Sequence, residues 1–577
     1  MKKALVLLLA LALAITPIAA QQPITPAPPA PKPYEDRAKL EELEDRSEDI
    51  ANGILELAVA VRDSNVTKIA EFFEDGAKVT PLPAEKTAPQ PEVKWIQKHD
   101  WNFTPKTLVA TTRAGIARQW DKFLANFSEI EDVRFKLRAS SFDDTARVAN
   151  SLVSFFIVGR NAQGQRTWVR ATADTIFALS KDPKETCGIK NSLSQEEGRW
   201  LIKEFALNPM NSLVATTDLF SEVAEAAGLG AKIPAYGESG NTGFLWHGAA
   251  AADFNNDGWQ DLFVTAATRN FLFLNDGKGK FVDASEKTGV KFLLSGAGPL
   301  ALDYDNDGDT DIFIATVGQQ VLFENRLQQD KQLEFRDVSL EAGVGSTSSA
   351  YGFSAAAADV NGDGFSDIYV SSYNQYGTVM PDSWFRATNG TPNLLFINQR
   401  NGTFKEEAHK WGVADRRWSY AAIFGDVNGD HKQDLYVAND FGEKALYVNK
   451  GDHFVDEAGA RGVLDPGNGM GAMFGDYNND GRLDLHATNM SSTAGNRILN
   501  RLFPTQNASN NVLKKLAAGN NLFENLGNGV YKDVTADVGG LSGMWAWGGG
   551  FIDFDNDGWE DLYTPNGFIS GKSMADT

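Results

Sequence analysis

Six copies of one nine-residue acidic loop, each running straight into a short apolar strand, limit what this chain can fold into. They read DFNNDGWQD (Asp253–Asp261), DYDNDGDTD (Asp303–Asp311), DVNGDGFSD (Asp359–Asp367), DVNGDHKQD (Asp426–Asp434), DYNNDGRLD (Asp476–Asp484) and DFDNDGWED (Asp553–Asp561). Oxygen side chains at positions 1, 3, 5 and 9 around a turn glycine are what a hard cation such as Ca2+ requires. The candidate side-chain ligands are Asp253, Asn255, Asp257 and Asp261; Asp303, Asp305, Asp307 and Asp311; and Asp359, Asn361, Asp363 and Asp367. The later loops add Asp426, Asn428, Asp430 and Asp434; Asp476, Asn478, Asp480 and Asp484; and Asp553, Asp555, Asp557 and Asp561. The copies recur at spacings of 50, 56, 67, 50 and 77 residues, which signals a repeat architecture.

An EF-hand is the competing reading of such a loop, and it needs a bidentate Glu at position 12 inside a following helix. Position 12 is Val264, Ile314, Val370, Val437, Ala487 or Thr564, and the residues around it suit buried strands. Metal-free Asx turns use the same residues, yet six aligned copies with Asp fixed at position 9 favour about six calcium sites. Positions 1, 3, 5 and 9 gather 20 carboxylates in a chain whose formal charge is −22. Such clusters repel unless a cation sits among them. No basic run is gathered along the chain, so nucleic acid is not an expected partner.

The loops sit inside a larger unit. A small-residue strand such as Gly248–Ala252 comes before, and an aromatic strand ending in Asn comes after, as in Phe271–Asn275, Val321–Asn325 and Leu446–Asn449. A turn and an aromatic-x-acid strand close each unit, for example Phe281–Asp283, Phe335–Asp337 and Tyr531–Asp533. Four short strands make one propeller blade.

These loops, the N-x-L-F-x-N strands and the F-x-D-x-x-x-x-x-G-V endings resemble the FG-GAP/VCBS-repeat propellers, and more narrowly the cartilage-acidic-protein-like chains of the ASPIC/UnbV type. The resemblance implies calcium held between the first two strands of each blade, with position 7 giving a backbone carbonyl from Trp259, Asp309, Phe365, Lys432, Arg482 and Trp559. His431 replaces the turn glycine of the fourth loop, where a positive φ is needed, so that site is expected to be weaker. The family's basic C-terminal segment is not found before Thr577. Six blades are counted and seven stay open. The spare strand Phe220-Ser221-Glu222 is expected to complete the last blade and close the ring.

Residues 1–20 read as a secretory signal of bacterial type and 21–34 as a Pro-rich linker, which places the chain in the periplasm or outside the cell. No membrane-spanning segment is expected beyond that signal. Cys187 is the only cysteine, so no intrachain disulfide can form. Residues 35–208 form an α+β unit ahead of the all-β repeats of 209–577. Helical spacing marks Ile54–Val61, Val66–Phe73 and Ile116–Phe127, and strands follow near Val133–Leu137, Leu152–Val158, Thr167–Leu179 and Arg199–Ile202. That order is similar to the SnoaL/ketosteroid-isomerase cone. Asp174 and Glu204 are read as surface residues, and Trp120 and Trp168 as core.

The favoured function is a secreted, calcium-binding, non-enzymatic propeller that recognises a protein or glycan. The long insertions 371–392 and 488–519, both between second and third strands, would present the site. The first holds Tyr373, Tyr376, Trp384, Phe385 and Arg386, residue types that suit binding. The alternative is an extracytoplasmic enzyme, for example polysaccharide-cleaving, working at the propeller mouth or in the cone pocket. It would need an acid–base cluster beyond the loops, and His247 is the least ordinary of the six histidines.

Overall fold

The computed structural model describes residues 37–566, except 85, 194–195, 219, 231–247, 267–268, 292–295, 347–349, 375–378, 503–511 and 540–544. The signal and linker readings, His247 and Tyr376 lie outside the described residues. Among them no helix is long and apolar enough to cross a membrane.

The N-terminal part is a mixed α+β unit. Helices α1 (Arg37–Arg62), α2 (Val66–Glu71) and α3 (Arg113–Leu124) accompany strands β1 (Phe73–Val79), β2 (Gln90–Val93), β3 (Ile96–Asp100), β4 (Val109–Ala110), β5 (Phe127–Phe142), β6 (Val148–Asn161), β7 (Arg166–Ser180), β8 (Ile189–Lys190), β9 (Arg199–Leu207) and β10 (Asn211–Ala215). Asn65 caps α2 by accepting the Lys68 N–H, and Thr112 caps α3 by accepting the Gly115 N–H. The apolar stripe of α1, Ile50, Ile54, Leu57 and Val61, packs in one core with Phe135, Phe155, Val169, Trp120 and Trp200. The ten strands form one sheet that branches at β7, which pairs with β6, β9 and β10. Its last strand, β10, pairs with β3 and β7, so the sheet runs past the expected boundary at 208. Three side chains depart from expectation in detail. Phe73 and Phe127 open strands instead of ending helices. Trp168 is 39% exposed, because strict alternation along β7 sends Val169 and Ala171 inward and Trp168 out.

The rest is mainly β. The first, fourth and fifth repeats are four-stranded antiparallel sheets in sequence order. Those of the second and third have the same order and are joined by a two-residue pairing of Val317 and Gly318 with Tyr351 and Ala350. The sixth shows two strands, Gly550–Ile552 and Asp561–Tyr563. First strands of successive repeats pack side by side, consistent with propeller blades. The cores lie between repeats: Phe254, Phe263 and Leu272 of the first pack with Ile312, Phe323 and Phe335 of the second.

Phe220-Ser221-Glu222 forms no strand. Its ring instead lies 5.6 Å from that of Phe554, in the sixth loop. The insertion 488–519 contains helices α4 (Thr493–Leu502) and α5 (Val512–Ala518), and α4 packs along β5. Arg497 of α4 is buried and pairs with Glu44 of α1. Part of this insertion is therefore taken up by the N-terminal unit and is not open to an outside partner.

Candidate metal centre: the acidic loops

One hydrogen-bond scheme builds all six loops. The position 1 carboxylate accepts the N–H groups of positions 5 and 6; for Asp253 these come from Asp257 at 3.0 Å and Gly258 at 2.7 Å. The same pair forms at Asp303, Asp359, Asp426, Asp476 and Asp553. The position 5 carboxylate accepts the N–H of position 7, as when Trp259 donates to Asp257 at 2.9 Å. This scheme turns the backbone left-handed at positions 4 and 6. Position 6 has φ 79 to 90° at its five glycines and 64° at His431. His431 thus takes the positive φ expected at this position, and its imidazole points to solvent. Position 4 is always Asn or Gly, the residues that accept this conformation most readily.

Position 9 ties each loop to its sheet. Asp311 accepts the N–H of Tyr304 at 3.1 Å and that of Asn325 at 2.7 Å. Asn325 ends the third strand, and its side-chain amide donates to Thr310 O and, in the preceding repeat, to Phe254 O at 2.8 Å. Asn398, Asn449 and Asn525 reach back in the same way to Tyr304, Val360 and Val427. On the loop face, Asn256, Asn306 and Asn479 at position 4 donate to the position 6 glycine carbonyl of the next loop. The sequence shows these Asn residues recurring, but their partners lie one repeat away.

The geometry concentrates negative charge. Burial, with Asp305 and Asp307 beside it, pushes the Asp311 carboxyl up to about 9. Burial and the neighbouring loop carboxylates raise Asp367 to about 7, and Asp305, Asp434 and Asp484 to about 6. Asp303, Asp305 and Asp311 bring carboxylate oxygens within 4.8 Å of one another, as do Asp553, Asp555 and Asp561. These belong to the two loops with Asp at position 3. One oxygen of Asp305 and one of Asp484 are buried without a hydrogen-bond partner. Converging carboxylates with orphaned oxygens fit a hard divalent cation. The third, fourth and fifth loops differ, since Arg400 lies 3.8 Å from Asp363, Lys432 lies 3.2 Å from Asp430 and Arg482 pairs with Asp480. A protein cation there already occupies part of the position 5 carboxylate.

Asp309, at position 7, is fully buried, and its side chain accepts N–H groups from Gln328 and Asn256, locking the first two loops together. His486 is buried and bonded to the Asn521 carbonyl, and burial lowers its pKa, as for a packed structural histidine. Asp174 and Glu204 stand at the surface paired with Lys106 and Lys78.

In the first insertion Tyr373 is core: its ring packs with Phe353, Trp418 and Tyr420, and its hydroxyl donates to Asp440. Trp384 is 62% exposed over Phe441, and Arg386 beside it pairs loosely with Glu443. Asp382 and Asn389 hold this segment through bonds with Thr388, Met380 and Trp418.

Comparisons with known proteins match these features. The FG-GAP-like repeat family covers residues 253–314, 303–370 and 426–487. Mouse cartilage acidic protein 1 is 31% identical over 122 residues, 21% of this chain and 16% of that protein's length. Among solved structures, an Agrocybe aegerita lectin that recognises non-reducing terminal N-acetylglucosamine is similar at 16% identity, covering 55% of this chain and 74% of its own, with a TM-score of 0.32. A protein described as a scytalone dehydratase of Novosphingobium aromaticivorans is similar at 11% identity, covering 30% and 95%, with a TM-score of 0.20. TM-scores this low leave the fold to be read from the sheets themselves. The chain carries FG-GAP-like repeats, whose recurring element is the acidic loop, and matches cartilage acidic protein 1 distantly.

Proposed function

We propose that the repeats form a calcium-stabilised β-propeller outside the cytoplasm, which recognises a protein or glycan and is not an enzyme. The side chains at positions 1, 3, 5 and 9, with the position 7 carbonyl, would hold Ca2+ and tie each loop into one rigid piece. The observation that carries recognition is Trp384, a largely exposed indole on an insertion anchored by the buried Tyr373 and Trp418. Rigid aromatic anchors beside an Arg are common at binding hot spots. The insertion leaves the far end of the second strand, so it stands on the face opposite the loops. The cavity bounded by Phe73, Ile116, Trp120 and Phe205 in the N-terminal unit measures about 10 Å3, room for one water and no substrate.

We also read seven blade positions. Position 2 of the first four loops packs with the aromatic of the next repeat's fourth strand: Phe254 with Phe335, Tyr304 with Phe404, Val360 with Phe454 and Val427 with Tyr531. By that rule Phe220, packed on Phe554, stands in a position after the sixth repeat. A Cβ on Gly343, Gly412 or Gly462 would press on the carbonyl of Phe404, Phe454 or Tyr531 in the next repeat, and one on Gly228 would press on Phe281 O of the first. The Phe220 segment thus lies between the sixth repeat and the first. Electron-microscopic averages down the ring axis count the positions, and a closed ring of six would overturn this reading.

Glycan arrays and panels of secreted proteins, probed in calcium, test the function. W384A/R386A protein is expected to lose capture while keeping its calcium stoichiometry and thermal midpoint. Capture that survives the double change rejects the site.

A further inference from the structure

The fold gathers cations that the sequence leaves scattered. Along β5, Val133, Phe135 and Leu137 point into the core, so Arg134, Lys136 and Arg138 share the outer face of the N-terminal sheet. Register extends the row: Arg134 lies opposite Phe156, Phe156 opposite Arg170, and Arg170 opposite Asn211. Lys136 lies opposite Ser154, whose hydroxyl also accepts the Arg138 Nε–H at 2.8 Å, so the two cations converge. The next row holds Val158, Trp168 and Leu213. Trp168 is exposed, meets Phe156 edge-on at 6.1 Å, and carries the Arg170 guanidinium 5.4 Å from its ring.

The carboxylates about this face are already engaged. Asp132 binds Arg134 at 3.1 Å, Asp174 binds Lys106 at 2.6 Å, Glu131 binds Arg166 at 2.8 Å, and Asp218 binds Arg160 at 3.2 Å. Burial, then the nearness of Arg138 and Arg134, pulls the Lys136 ammonium down to about 8. Crowded cations of this kind are relieved by an anion, and Arg forks match carboxylate or sulfate groups in two-point contact. The indole, one row beyond Arg170, offers a flat apolar surface with a polar rim. A chain of flat rings bearing anionic substituents meets both demands.

We propose that the outer face of this sheet is a second binding surface, for an anionic polysaccharide. One pyranose ring would stack on Trp168 with its carboxylate or sulfate at Arg170, while anionic groups on rings farther along the same chain reach Lys136 and Arg138. The surface is on a different unit from Trp384 and does not depend on the propeller reading.

Calorimetric titration of the whole chain, in calcium and at physiological ionic strength, tests it with hyaluronan oligosaccharides for carboxylate, dextran sulfate for sulfate and neutral dextran as control. One polyanion is expected to bind and neutral dextran not to, and the arm that binds names the group. K136A/R138A and W168A should each weaken binding about tenfold, as losing one or two charge-assisted contacts or a stacking platform implies. Arg138→Lys, which keeps the charge and loses the fork, should retain part of it. Thermal midpoints and calcium stoichiometry should stay at wild-type values, since none of the three side chains belongs to the packed core. Equal affinity in wild type and variants, equal binding of neutral dextran, or tighter binding of a single-stranded oligonucleotide would each overturn the proposal.

Discussion

Asn449 shows how one side chain can hold two repeats. Its amide donates to Gln433 O at 3.2 Å and to Val360 O of the preceding repeat at 2.9 Å. Asn449→Ala leaves a buried carbonyl without a donor, so a loss of about 1–3 kcal/mol in calcium-saturated protein is expected. Denaturant titration checks it, and an unchanged midpoint would reject the inter-repeat role. Asn at this position was legible as a pattern but not as a link, because the bonded residues stand 71 to 98 positions apart. The loop ligands were more legible, since their spacing is local and repeats. Among them, Asp305 carries an orphaned buried oxygen, whereas the Asp430 carboxylate already has Lys432 beside it. Asp305→Ala should therefore remove one equivalent of bound calcium and its stabilisation, about 2.7 kcal/mol at 100-fold excess over Kd. Asp430→Ala should cost less, and isothermal titration of both variants decides the order.

At the scale of the element, the strands after each loop follow from their apolar alternation, and all five complete repeats form them. From sequence, 488–519 reads as an insertion without helices, whereas its first helix packs on β5 and pairs with α1, and the second packs on the first. Trp168 was misplaced because an aromatic in a strand does not reveal which face is covered. The loop as an element also titrates. Asp311 and Asp367, raised to about 9 and 7, bind a proton more tightly folded than unfolded. In calcium-free protein, stability should therefore be greatest at the acid end and fall as pH rises from about 4 to 9, as buried carboxylates ionise with no cation beside them. Calcium binds the ionised form, so the stabilisation it adds should grow over the same range. Thermal scans in EDTA and in excess calcium across this series check both slopes. A calcium-free midpoint that rises with pH would contradict the buried charge.

Across the whole molecule, the repeat array was legible because its motifs recur in order. The join between the array and the N-terminal unit was not, because it rests on contacts between residues far apart in the chain. Trp95, in the turn between β2 and β3, sets its ring 5.8 Å from Phe554, whose other neighbour is Phe220 at 5.6 Å. Thr216 holds the turn by donating its N–H to the Trp95 carbonyl at 2.8 Å. Phe554 is position 2 of the sixth loop, next to Asp553 and Asp555 of its carboxylate group. Burial and Asp557 push the Asp555 carboxyl up, while the nearby Lys94 ammonium pulls it down. A cation on this loop would fix Phe554 and with it the seat of Trp95, so emptying the loop should loosen the turn. Asp555→Ala is expected to speed amide exchange at residues 94–96 and 216 in calcium, whereas Asp305→Ala, which disturbs a loop far from this contact, should leave them protected. Equal protection in both variants would show that Trp95 and Phe554 pack together whether or not the sixth loop is filled.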